Sequence, residues 1–251
     1  MRFDGKVVIV TGAGSGIGRA SAQRFAADGA QVVAADINVE QGQYTVDAIL
    51  EAGGKASFVR VDVSSYESVQ ALVQGTVSAY GRLDVMFNNA GIGNAPFSVL
   101  DLPVEEYHRT VEVNQHGIFY GIKSAAQAMK ESGGVIVNTA SIYAYIADRR
   151  QLPYHASKGA VVAMTRAAAL ELAPYNIRVV AIAPGLIDTN IVAGWKENPK
   201  VWQQIERAQM RQKAGTPQEV ANVVTFLASS EASFLNGQVY FVDDGAAAFK
   251  R

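Results

Sequence analysis

Val7-Val8-Ile9-Val10-Thr11-Gly12-Ala13-Gly14-Ser15-Gly16-Ile17-Gly18-Arg19 decides the architecture. Four β-branched residues run directly into a turn dense in glycine, and Ile17–Ala27 then carries helical spacing and strong helix formers. A continuous apolar run, as opposed to an alternating one, suits a strand covered on both faces, as in a parallel sheet.

The same alternation recurs along the chain. Strand-like runs stand at Val32–Ala35, Phe58–Val61, Val85–Phe87, Val135–Val137, Ile177–Ile182 and Val239–Val242. Helical stretches lie between them at Val39–Ala52, Tyr66–Tyr80, Val104–Lys130, Tyr154–Ala173 and Pro217–Ala228. Strands alternating with helices imply βαβ units and right-handed crossovers. The expected fold is α/β: a single Rossmann-like, doubly wound parallel sheet of about seven strands with helices on both faces. With no linker or repeat, residues 1–251 read as one domain. Residues 185–216 break the rhythm, holding no strand-like run and one helical piece near Val201–Met210. An insertion of that length inside a compact domain reads as a substrate-covering segment.

Composition narrows the function classes. Twenty-two basic and 23 acidic side chains leave a net charge of −1, which argues against nucleic-acid or membrane partners. No cysteine is present, so disulfides, thiol nucleophiles and zinc-thiolate sites are excluded. His108, His116 and His155 are too scattered to suggest a metal site. No apolar run approaches the ~20 residues of a membrane helix, and a strand begins at once after Lys6, so a cytoplasmic location is expected.

Glycines at positions 12, 16 and 18 permit a tight turn and close backbone approach to a pyrophosphate, and the helix beginning near Gly16 offers unpaired N–H groups. The spacing is G-x-x-x-G-x-G; Ile17 excludes the stricter G-x-G-x-x-G, and Ser15 and Ile17 complete the turn. Asp36 ends the second strand 18 residues beyond Gly18, where a carboxylate accepts hydrogen bonds from an adenosine ribose and repels a 2′-phosphate. Asp62-Val63, at the end of the third strand, is placed to meet the adenine amine.

Tyr154 and Lys158 stand at i and i+4, on one helix face with Cβ atoms about 5–6 Å apart. A phenol titrates near pH ~10, and an ammonium one turn away stabilises the phenolate. The pair can then act as a general acid/base on an alcohol or carbonyl. Thirteen residues earlier, Ser141 ends the fifth strand, where open α/β sheets bind ligands, and its hydroxyl can stabilise charge on a reacting oxygen.

Together with Asn88-Asn89-Ala90-Gly91, Asn114 and Pro184-Gly185, these motifs resemble the short-chain dehydrogenase/reductase (SDR) family over essentially the whole chain. The resemblance implies that Tyr154 is the proton donor/acceptor and that Lys158 holds the nicotinamide ribose. It implies that Ser141 orients the substrate oxygen and that Asn114 anchors a water in a proton relay to Lys158. Asn88, Asn89, Ala90 and Gly91 would shape the adenine side of the cleft. The segment from Pro184 and Gly185 through Ile187 and Thr189 would cover nicotinamide and substrate, with Thr189 near the carboxamide. A homotetramer formed through the long helices and the C-terminal strand is also implied, near Phe234, Leu235, Phe241 and Phe249. Two departures stand out: Val242-Asp243-Asp244-Gly245 replaces the family's Val-Asp-Gly-Gly, and His155 follows the tyrosine where a small residue is common. His155 reads as a helix-face side chain.

NADP-preferring members carry a basic residue in the turn or after the second strand, and here Ser15 and Ile37 stand there beside Asp36. NAD is the expected cofactor. Ile92, Ile142, Tyr143, Ala144, Tyr145, Leu152, Leu186, Ile191 and Trp195 form a mostly apolar substrate wall suited to a secondary alcohol or ketone, with Arg149 and Arg150 nearby as candidate grips for an anionic group. The competing readings are a 3-oxoacyl-thioester reductase of the same family and a non-catalytic dinucleotide sensor.

Overall fold

A computed structural model describes residues 1–248, so Phe249 lies outside the described residues. Strands β1 (Val7–Thr11), β2 (Gln31–Asp36), β3 (Lys55–Arg60), β4 (Val85–Asn88), β5 (Gly134–Thr139), β6 (Ile177–Pro184) and β7 (Val239–Val242) form one sheet. Their order is β3-β2-β1-β4-β5-β6-β7, and every neighbouring pair is parallel. The winding reverses between β1 and β4. Connections leave their carboxyl ends in opposite directions there and open a crevice.

The helices are α1 (Gly16–Ala27), α2 (Val39–Glu51), α3 (Tyr66–Tyr80), α4 (Val104–Val111), α5 (Gly117–Met129), α6 (Leu152–Leu172), α7 (Ala193–Lys196), α8 (Pro199–Glu206) and α9 (Pro217–Ala228). Successive strand residues point to opposite faces. Val8 and Val10 therefore join Phe25, Val46, Val220 and Leu227 in one core, under α1, α2 and α9. Ile9 joins Leu72, Met86, Ile118 and Val161 in the other, under α3, α5 and α6. Burial on both faces explains the continuous apolar runs.

Three local expectations shift. β3 spans Lys55–Arg60 and not Phe58–Val61, because this partly exposed edge strand pairs from Lys55 opposite Gln31 through polar positions that show no apolar run. The expected helix over Val104–Lys130 is divided by a π-helical turn at Glu112–His116. The helical piece near Val201–Met210 is α8, which starts earlier because Asn198 Oδ1 caps Lys200 N and Val201 N and Pro199 suits a first helical position. The base of the 185–216 segment is closed by a bridge between Ile187 and Gly215 and by the hydrogen bond from Asp188 N to Gly215 O (2.9 Å).

Candidate active site

The glycine turn is shaped so that side chains cannot enter it. Gly12 and Gly16 have φ of +67° and +49°, a region costly for residues with a Cβ. A Cβ on Gly18 would lie 2.0 Å from Gly12 O, and one on Gly12 2.9 Å from Ala90 Cα. Ser15 precedes α1 in extended conformation and makes no side-chain cap, and Ile17 packs against the core from the first turn. The first-turn N–H groups are thus available to an anion. Asp36 Oδ2 accepts from Gly14 N (2.7 Å) and Oδ1 from Asn38 N (2.9 Å), which fixes the carboxylate beside the turn with Ile37 exposed next to it. This cradle fits a dinucleotide: a backbone-lined turn at a helix start and an oriented carboxylate at the next strand end.

Arg19, which sequence reasoning passed over, is the cation on this turn. Its guanidinium donates to Gly14 O, to Gln41 Oε1 (2.7 Å) and to Thr45 Oγ1 (3.1 Å), and lies 4.8 Å from the Tyr44 ring centroid. It is committed to bracing the turn against α2.

Asn89 acts as a tie across the crevice. Its N–H donates to Thr11 Oγ1 (2.9 Å), its Nδ2 to Thr11 O (3.1 Å), and Ala90 N donates to the same threonine hydroxyl (3.1 Å). Thr11 was quoted only as the head of the glycine turn, since nothing local to it signals partners nearly eighty residues away. Asp62 Oδ1 accepts from Ser64 N and Oγ (2.9 and 2.6 Å), placing its carboxylate in a local turn, and Val63 packs where a Cβ on Gly117 would be 3.1 Å away.

On the opposite wall, Gly185 N donates to Val242 O (3.0 Å) just past Pro184, and a Cβ on Gly185 would meet Asp243 at 2.8 Å. Ile187 is buried, with its side chain in the core, so only its backbone can face a ligand. Thr189 lies against the turn: its Cγ2 is 3.0 Å from where a Gly16 Cβ would sit. Gly16, Arg19, Asp188, Thr189, Asn190 and Lys196 line a cavity of about 350 Å³ there.

Ser141, Tyr154 and Lys158 converge at the carboxyl end of β5. Ser141 Oγ accepts from Tyr143 N (3.2 Å), and its hydroxyl stands near enough to the Tyr154 phenol to stabilise the phenolate. Burial pushes that phenol up from its ordinary range, and the Ser141 bond pulls it part of the way back. Lys158 is 3% exposed; its Nζ donates to Thr139 O (2.8 Å) and sits 5.6 Å from the Tyr154 ring centroid. Burial lowers this ammonium to about 8. Thr139, another residue missed from sequence, therefore anchors the lysine through its carbonyl, while two ammonium protons remain for other acceptors.

Asn114 sits in the π turn, fully buried. Its Oδ1 accepts from Ile92 N and its Nδ2 donates to Ile92 O, both at 2.8 Å. The side-chain amide thus braces the loop after Gly91. A Cβ on Gly91 would come 3.1 Å from Asn114 Oδ1 and 3.6 Å from Lys158 Nζ, so this glycine keeps open the space between the two.

The expected substrate wall divides. Ile142 and Leu186 are buried in packing, and Tyr145 turns to Phe241, ring centroids 4.8 Å apart. Ile92 and Trp195 are half-buried, Leu152 and Ile191 are exposed, and Ile191 Cγ2 reaches to 3.6 Å of a Gly93 Cβ position. Tyr143 stands edge-on to Tyr154, centroids 6.1 Å apart. Arg149 and Arg150 are exposed; Arg150 has φ +64° and its carbonyl accepts from Asn94 Nδ2 (3.1 Å).

A family model described as enoyl-(acyl carrier protein) reductase matches residues 12–247. The chain is 40% identical over 243 residues to a cyclohexanol dehydrogenase of Acinetobacter sp. (strain SE19), covering 96% of this chain and 95% of that one. The crystal structure of a levodione reductase superposes with a TM-score of 0.95 at 36% identity, covering 99% of this chain and all of the other. A 7α-hydroxysteroid dehydrogenase solved with NADH and 7-oxo glycochenodeoxycholic acid superposes with a TM-score of 0.92 at 36% identity, covering 97% and 95%. Matched along nearly its whole length in sequence and in fold, the chain belongs to the short-chain dehydrogenase/reductase family of oxidoreductases.

Proposed function

We propose that this oxidoreductase interconverts a secondary alcohol and a ketone with NAD(H), using Tyr154 as general acid/base. The observation that carries the reading is the buried Lys158 ammonium, tied to Thr139 O and 5.6 Å from the Tyr154 ring centroid, with the Ser141 hydroxyl beside the same phenol. When bound, the oxidised nicotinamide accepts hydride from the carbinol carbon and adds a positive charge to the site.

In the oxidative direction, Ser141 donates its hydrogen bond to the alcohol oxygen and Tyr154, as phenolate, takes the hydroxyl proton. Lys158 keeps its grip on Thr139 O and offers its remaining N–H groups to the ribose hydroxyls. Its charge favours the phenolate that burial alone would disfavour. In reduction the same tyrosine returns the proton to the forming alkoxide.

Support for NAD comes from Asp36, fixed beside the turn by two backbone N–H groups. A 2′-phosphate would face that carboxylate at short range, and like charges there disfavour it. The rim of Ile92, Tyr143, Leu152 and Ile191 favours a substrate with an apolar body, in keeping with relatives named for cyclohexanol, levodione and a hydroxysteroid. Exposed Phe119 on α5, Leu170 on α6, and Phe234 and Phe241 near β7 support a homotetramer assembled through those elements, and light scattering checks it. Among the described residues no helix is long and apolar enough to cross a membrane, and we place the enzyme in the cytoplasm.

The test is NAD-linked and NADP-linked oxidation of cyclic secondary alcohols, with reduction of 3-oxoacyl thioesters run in parallel. The reading expects kcat/KM to favour NAD and the cyclic alcohols. NADPH-linked thioester reduction as the dominant activity overturns it.

A further inference from the structure

His155 is the residue the sequence left as a bland helix-face side chain, yet its ring bridges two parts of the loop that follows Ser141. Nδ1 lies 2.6 Å from Tyr143 O, which can only accept, so Nδ1 carries the proton. Nε2 lies 3.0 Å from Asp148 N, whose N–H it can accept, and 3.2 Å from Asp148 O, so both contacts of this nitrogen hold the backbone of residue 148. The ring thus spans Tyr143 and Asp148, one nitrogen on each. The imidazole also packs on the Tyr143 ring, centroids 4.8 Å apart.

Tyr143 connects this bridge to the chemistry. Its N–H donates to Ser141 Oγ (3.2 Å), while its C=O receives the histidine proton. Tyr143 N holds one lone pair of Ser141 Oγ and so orients its single O–H, which donates to one acceptor at a time: the Tyr154 phenol or, with substrate bound, the reacting oxygen. Beyond Tyr143, its own hydroxyl reaches Asp148 Oδ2 (3.1 Å), and Asp148 Oδ1 accepts from Arg149 N (2.8 Å). Residues 143 to 149 are thereby held as a ring of contacts centred on the imidazole, against the tyrosine that precedes it in sequence.

We propose that His155 is a positioning residue with two separable effects: through the Tyr143 carbonyl it aims the Ser141 hydroxyl at the reacting oxygen, and through Asp148 N it holds the substrate-facing loop. The first effect acts on the chemical step, and the second acts on substrate binding. This rests on the functional reading above.

Two near-isosteric variants divide the effects. His155→Asn keeps a donor at the Nδ1 position and loses the Asp148 acceptor; His155→Gln keeps an acceptor at the Nε2 position and loses the donor. Hydride transfer is followed in a single turnover of the cofactor-loaded enzyme, and KM is measured for the alcohol and for NAD. The Asn variant is expected to raise the alcohol KM several-fold while its single-turnover rate stays nearer that of the unaltered enzyme. The Gln variant is expected to lose roughly three- to tenfold in the single-turnover rate, the net worth of one hydrogen bond, with a smaller change in KM. KM for NAD should stay put in both. Tyr143→Phe, which removes the hydroxyl contact with Asp148 and leaves position 155 intact, should follow the Asn pattern and guards against a fold defect peculiar to position 155.

Loss of rate and KM in equal measure in both His155 variants, or in neither, overturns the assignment. Absence of any NAD- or NADP-linked alcohol turnover in the unaltered enzyme is a different failure, because it removes the functional reading and this inference with it.

Discussion

Lys158→Met should make the protein without cofactor more stable while removing its activity. The buried ammonium is lowered from 10.5 to about 8 by loss of solvation. At about 1.36 kcal/mol per unit, the native state disfavours the charged lysine by about 3 kcal/mol at neutral pH. Methionine fills a similar volume without that cost but gives up the bond to Thr139 O, worth about 1 kcal/mol and more if the carbonyl stays dry. A net gain of about 1–2 kcal/mol remains. In a domain of this size that is roughly 2–8 °C in Tm.

The pH dependence distinguishes this cause from better packing. The folded pKa lies below the unfolded one, so between about 8 and 10.5 the unfolded chain binds more protons and stability of the unaltered protein rises with pH. Below about 8 the penalty is complete, and above 10.5 it is gone. Urea unfolding of both proteins at pH 7 and at pH 10 therefore should show a gap at pH 7 that shrinks at pH 10. A variant less stable at pH 7, or a gap independent of pH, refutes the reasoning.

Asp36→Ala should raise the ratio of kcat/KM for NADP over NAD at least tenfold, and steady-state kinetics with both cofactors reads it; the melting temperature should also fall, because Gly14 N and Asn38 N lose their acceptor. Gly18→Ala puts a Cβ 2.0 Å from Gly12 O, and the forced shift of the turn should cost about 1–3 kcal/mol in unfolding free energy and over tenfold in cofactor affinity by titration. Asp244, at φ +50°, binds Arg211 through its main-chain N–H and its Nε, both at 2.6 Å, and so ties the 185–216 segment to the end of β7. Asp244→Asn tolerates the same backbone but weakens this tie, and trypsin should cut after Arg211 and Lys213 faster than in the unaltered protein.

The sheet was legible because its central strands are buried on both faces and so read as unbroken Val/Ile runs. β3 was displaced because an edge strand needs no such run. The π turn at Glu112–His116 left no trace, since its residues read as ordinary helix and its extra residue answers to the bonds between Asn114 and Ile92, which lie 22 positions apart. Tyr154, Lys158 and Ser141 were readable because helix periodicity and a strand terminus alone bring them together. Asn89 and Asn114 were expected as site residues from motif position, and in the fold their side chains serve the backbones of Thr11 and Ile92, partners that no local pattern announces. Ile142 and Leu186 show the converse: an apolar residue beside a cleft looks the same in sequence whether it faces the ligand or the core.

Tyr154→Phe removes a single oxygen and leaves the ring against Tyr143. With this variant, NADH binding followed by fluorescence should stay within about twofold of the unaltered enzyme, while NAD-linked alcohol oxidation falls by about 10²–10⁴, the range for loss of a general acid/base. Turnover retained to within a few-fold, with cofactor binding intact, would mean that the proton travels through some other group.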